Sequence, residues 1–137
     1  MFFRNPFPEE VADIRRRAHH NAQNGMAFLD AHHPGWEKKV PDSVNIRFGD
    51  CCIVPHLTGY LYGKTGLEIL GVKNPVTAGL FVEGDKESPR VIEEYAFLTM
   101  EFKTGVANRL EEKRRRLEIA GATTGVNNEV ERELVAV

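Results

Sequence analysis

The chain has little sulfur, little excess charge and no long apolar run, and each shortage excludes a class. Its only two cysteines are neighbours, Cys51 and Cys52. Adjacent residues do not reach disulfide geometry without strain, which excludes a disulfide-stapled secreted scaffold. Eighteen Lys and Arg stand against twenty Asp and Glu, a net charge of −2. Neither a uniformly basic nucleic-acid binder nor a polyacidic tail therefore describes the chain as a whole. No apolar run approaches the roughly eighteen residues needed to cross a bilayer, so no membrane association is expected. The start, Met1 to Pro6, lacks the apolar segment of a signal peptide. Reduced cysteines and no leader together predict a cytoplasmic protein.

What is present is the material of one globular domain: 137 residues, 42% hydrophobic and 28% charged. The first strong pattern is Val11, Ile14, Ala18, Ala22, Met26 and Leu29, an apolar stripe at spacings of three and four. Pro8 suits a first helical turn, and Glu9 and Glu10 complement the positive end of its dipole. The stripe predicts a helix over 8–31 that stops at Pro34-Gly35 and is weakened at Gly25. A second pattern, Ile92, Tyr95, Leu98, Phe102, Val106, Leu110 and Leu117, predicts a long helix over 89–119, capped by Ser88, ending near Gly121 and weakened at Gly105.

Between them lie shorter pieces. Residues 34–49 read as a connection pinned to the core by Trp36, with Val40, Val44 and Ile46 as apolar points. The alternation at 44–48 allows a short strand. Asp50 can cap a helix beginning at Cys51-Cys52-Ile53-Val54, with Leu57, Tyr60 and Leu61 continuing its apolar side. A second short helix runs from Thr65 or Gly66 to Leu70, stopped by Gly71, and a third is expected within 75–82. The fold expected is mostly α: two long amphipathic helices flanking three short ones. It forms a single domain over 1–121, with residues 122–137 as a mobile C-terminal tail.

No complete catalytic or metal motif stands out. Cys52 and His56 are four apart, one helical face, and with Cys51 they form the best metal-ligand candidate. Yet CxxC and HExxH are both missing, and free cysteines in an apolar run are usually packed. A nucleophilic thiol is opposed by Asp50, whose charge disfavours a neighbouring thiolate. Gly63-Lys64-Thr65 ends like a phosphate-binding loop, but Thr58 stands where the first glycine is required. The chain is therefore read as non-enzymatic, with no cofactor.

Two basic clusters, Arg15-Arg16-Arg17 and Lys113-Arg114-Arg115-Arg116, lie on the two long helices. If the helices pair so as to join them, they make a phosphate-binding patch, and the chain becomes a nucleic-acid-binding module. The competing reading is a solvated face, since Glu111, Glu112 and Glu118 offer intrahelical partners. Phe2, Phe3 and Phe7 cluster ahead of the first helix. With Trp36 they are the candidate protein-interface residues, for a host protein or a second copy in a homo-oligomer.

Four stretches in order carry a resemblance: His33-Pro34-Gly35-Trp36-Glu37; Cys51-Cys52; Leu61-Tyr62-Gly63 with Gly66-Leu67; and Tyr95 to Lys103. Over roughly residues 24–117 the chain resembles a family of small uncharacterised helical proteins of actinobacteria and their bacteriophages. Pro55-His56 departs from it, where a glycine and a polar residue are expected. The resemblance transfers no catalytic or binding residue. It implies an accessory protein in the host cytoplasm that works by binding another protein.

Overall fold

The computed structural model describes residues 4–124. Two long helices dominate it: α1 (Pro8–His32) and α4 (Pro89–Thr124). A 3₁₀ turn (Trp36–Lys39) and two short helices, α2 (Ile53–Thr58) and α3 (Lys64–Leu70), lie between them. No strand occurs among the described residues, and no helix there is long and apolar enough to cross a membrane.

The two long helices run parallel. Arg17 pairs with Glu94, 77 residues on, and Asp30 with Arg109, 79 residues on. Partners therefore advance together along both helices. Antiparallel neighbours need only a short loop, whereas this parallel pair needs a return path. Residues 33–88 supply it and cover one side of the pair. They bring Trp36, Val44, Ile46, Cys52, Ile53, Val54, Leu70 and Leu80 into the core with Ala18, Ala22, Met26, Leu98 and Phe102. The Trp36 indole meets the Phe102 ring edge-on, with centroids 6.5 Å apart.

Three expectations change. Residues 44–48 form turns and no strand, because their backbone donors find local or side-chain acceptors. Asn45 N–H donates to the Cys51 carbonyl, Arg47 N–H to Asn45 Oδ1, and Ile46 N–H to Thr99 Oγ1. The third short helix does not form. Residues 74–80 make consecutive turns with Asn74 Oδ1 accepting from Val76 and Thr77, and Gly79 enters the left-handed region at φ +74°. That geometry lays the Ala78-Gly79 peptide flat against the backbone of α1 at Ala22 and Gly25. Finally, α2 begins later than the Asp50 cap implied. Cys52 occupies the N-cap position, without a side-chain cap bond, and Gly59 ends the helix at φ +80°. Tyr60 and Leu61 thus fall outside it and are exposed.

At its far end α4 continues through Thr124, three residues past the boundary expected at 121. The rest of the expected tail, from Gly125 on, lies outside the described residues. From the pairing of Asp30 with Arg109, α4 outruns α1 by about thirteen residues, or roughly 20 Å at 1.5 Å per residue.

Candidate protein interface

The expected site residues do not converge. Among the described residues no three His, Cys, Asp or Glu side chains come together to hold a metal ion, and Cys51, Cys52 and His56 form no such group. Cys52 is fully buried, and burial pushes its thiol up to about 11. The Cys51 thiol is raised chiefly by its hydrogen bond to Asp50. Both thiols therefore stay protonated near neutrality, when a nucleophile or ligand needs the thiolate.

The parallel register also keeps the basic clusters apart. Arg17 lies level with Glu94, so Lys113–Arg116 begins roughly nineteen residues further along α4, about 28 Å away. Each cluster is also engaged locally. Arg17 donates to the buried Glu94 carboxylate, with Nε 3.1 Å from Oε1. Arg16 pairs with Asp13, and Arg15 lies 4.8 Å above the Phe97 ring. On α4, Arg114 is held by Glu111 and Glu118, Arg115 by Glu111, and Arg116 by Glu112. The two clusters do not form one patch.

Of the expected interface residues, Phe2 and Phe3 lie outside the described residues. Phe7 is exposed and carries the Arg4 guanidinium 4.4 Å above its ring. Trp36 is only 1% exposed, so it serves the core and offers nothing to a partner. Its N–H donates to Asp30 Oδ1 at 2.9 Å, and Arg109 binds the same carboxylate. This knot forms one wall of a cleft of about 500 Å³ where α4 leaves α1. Arg109, Lys113 and Arg116 line the cleft, but so do Asp30, Glu37 and Glu112. The opposed charges leave no net field for an ion of either sign.

A surface that the periodicity missed lies at the turns around α2. Tyr62 N–H donates to the Gly49 carbonyl at 2.9 Å, which brings the turn at 48–49 alongside the turn at 60–62. Tyr62 turns inward and stacks on Phe81, with centroids 6.2 Å apart. Phe48, Tyr60 and Leu61 remain 46%, 53% and 66% exposed. Large apolar side chains gathered in adjoining turns are the usual mark of an interaction surface, and tyrosine is favoured there. The signal available in the sequence was Gly59: a helix stop before Tyr60 takes Tyr60 and Leu61 off the helical stripe. No protein-family model, curated protein or solved structure matches the chain.

Proposed function

We propose that this chain is a non-enzymatic protein-binding module, an accessory protein of the phage type that its resemblance implies, acting in a host cytoplasm. The exposed trio Phe48, Tyr60 and Leu61 carries the reading. Helix α2 and the Gly49–Tyr62 bond anchor these turns, so the surface is presented with little ordering cost on binding. The raised thiols of Cys51 and Cys52 add support, because a nucleophilic cysteine needs the thiolate.

The test is quantitative capture by the full-length chain, compared with the triple variant Phe48→Ser, Tyr60→Ser, Leu61→Ser. The helical circular dichroism of the two should agree, since all three side chains are exposed. The wild type is expected to retain a stoichiometric protein that the variant loses. The same proteins on both, at equal yield, would remove the reading.

A further inference from the structure

The return path between α3 and α4 touches α1 at two places and stands off between them. A Cβ on Gly71 would lie 3.5 Å from Phe28 Cζ, and one on Gly79 would lie 3.0 Å from the backbone of Ala22. Between these contacts the chain holds its own shape. Asn74 Oδ1 accepts from the Val76 and Thr77 N–H groups, and the Asn74 carbonyl accepts from Thr77 Oγ1 and from Ala78 N–H. The turns satisfy one another and have no need to collapse onto the helix. The space left is a cleft of about 500 Å³, within the usual size range of a small-molecule site. On its α1 side, Asn24, Phe28 and His32 recur every four residues and so share one helical face.

The lining pairs an apolar floor with a cationic edge. Phe28, Val72 and Ala78 are half-buried and supply the floor. The Phe28 ring also packs against the His32 imidazole, with centroids 4.5 Å apart and planes inclined by 33°, which makes an aromatic wall for a further ring to join. Among the described residues no carboxylate lines the cleft; its titratable side chains are His32 and Lys73. Lys73 is exposed and has no ion-pair or hydrogen-bond partner among the described residues. The cleft beside Asp30 and Arg109 differs in this respect, since there cations and acids offset one another. Carbonyls at the adjoining ends of α1 and α3 are already in use: Leu29 accepts from His33 N–H, Leu67 from Gly71 and Val72 N–H, and Leu70 from His33 Nε2 at 2.6 Å. That use blunts the negative ends of both helices.

We propose that this cleft binds a small aromatic carboxylate, with its ring against Phe28 and His32 and its carboxylate at Lys73. A single ammonium matches a monoanion, whereas a phosphate dianion calls for a second cation or a bidentate guanidinium. Asn24 Nδ2 lies 3.3 Å from His20 Nε2, and its second N–H is left to donate to the same ligand. A bound molecule would bridge α1 to the turns of the return path and stabilise their packing. The site is separate from the Phe48–Tyr60–Leu61 surface and does not rest on the protein-binding reading.

The experiment titrates 2-naphthoate into the isotopically labelled full-length chain and follows backbone amide shifts. Saturable shifts are expected at residues 24–32 and 71–78, with a dissociation constant of about 1 mM or tighter. The uncharged 2-naphthamide and the non-aromatic cyclohexanecarboxylate should each bind at least about fivefold more weakly, the first lacking the charge and the second the ring. Lys73→Glu should weaken 2-naphthoate about tenfold, because it replaces attraction by repulsion, while Lys73→Arg should retain binding. Lys73 is exposed, so thermal unfolding of both variants should match the wild type, which separates a lost contact from a lost fold. No saturable shift at about 10 mM, shifts centred elsewhere, equal affinity for either analogue, or indifference to Lys73→Glu would each overturn the proposal.

Discussion

Asp30 receives both prongs of the Arg109 guanidinium, Nε at 2.9 Å and Nη2 at 2.7 Å, while the same carboxylate accepts from the Trp36 indole. Three elements, the end of α1, the 3₁₀ turn and α4, are tied at this one side chain. Arg109 also caps the Gly105 carbonyl at 3.1 Å and covers the Trp36 ring at 5.5 Å.

Removing the acceptor should therefore cost more than removing the cation. Asp30→Ala leaves a buried indole N–H unsatisfied and should lower unfolding free energy by about 1–3 kcal/mol. Arg109→Ala leaves a half-exposed carboxylate that water can solvate, and the loss of the ion pair should cost about 1 kcal/mol or less. Urea titrations check both. Arg109 holds the Asp30 carboxyl below its ordinary value of 3.8. The stability that this pair contributes is thus present above about pH 4 and is lost as pH falls through the depressed native value. Asp30→Asn should flatten that acid limb.

The arginines of the first cluster should differ sharply among themselves. Glu94 is 4% exposed, and its charge-bearing partner is Arg17. Arg17→Ala strands a buried carboxylate and should cost about 2–3 kcal/mol, less than a fully buried pair because Arg17 itself is half-exposed. Arg16→Ala should stay within about 0.5 kcal/mol. A mobility-shift series should show no complex that tightens steeply as salt is lowered, since the two clusters cannot neutralise adjoining phosphates together.

Gly25→Ala tests how a glycine in a helix is to be understood. Helix propensity alone predicts a gain of about 1 kcal/mol. A Cβ at Gly25 would collide with the Ala78 carbonyl oxygen, and a backbone carbonyl cannot swing aside. The substitution should instead destabilise by about 1–3 kcal/mol, measured by thermal or urea unfolding. Gly105→Ala meets the Met26 side chain, which is flexible, so its cost should be smaller.

Cys52 should be inert until the fold opens. Its thiol, pushed up to about 11 from an ordinary value of 9.0 by burial, stays protonated at pH 8. A chromogenic disulfide reagent should label Cys51 slowly and Cys52 only at the rate of unfolding. The unfolded thiol ionises before the folded one does. Stability linked to Cys52 is therefore intact below pH 9 and declines as pH rises through the folded value of about 11. Cys52→Ala should remove that part of the alkaline decline.

The long elements were legible because their information is local. Ile14, Ala18, Ala22, Met26 and Leu29 are all buried, as their spacing predicts, and Tyr95, Leu98, Phe102 and Val106 follow in α4. The register between the helices was not legible, since nothing near Arg17 encodes Glu94. That register is what separates the basic clusters. Trp36 was legible as a core anchor and misleading as an interface residue, because its polar edge is consumed by Asp30. Apolar spacing alone places Tyr60 and Leu61 on the α2 stripe, which Gly59 cuts short. Gly25 and Gly105 looked like defects, while their lack of a side chain is what allows Ala78 and Met26 to approach.

The parallel pairing also bears on how the chain reaches its native state. Contacts such as Asp30–Arg109 close a span of 79 residues, an unusually non-local topology for helices. Refolding should accordingly be slower than for an up-and-down bundle of equal size. During synthesis α1 is made well before the α4 residues that cover its apolar stripe, so that stripe stays exposed until residues 94–109 have followed, and the nascent chain is most prone to aggregate in that interval.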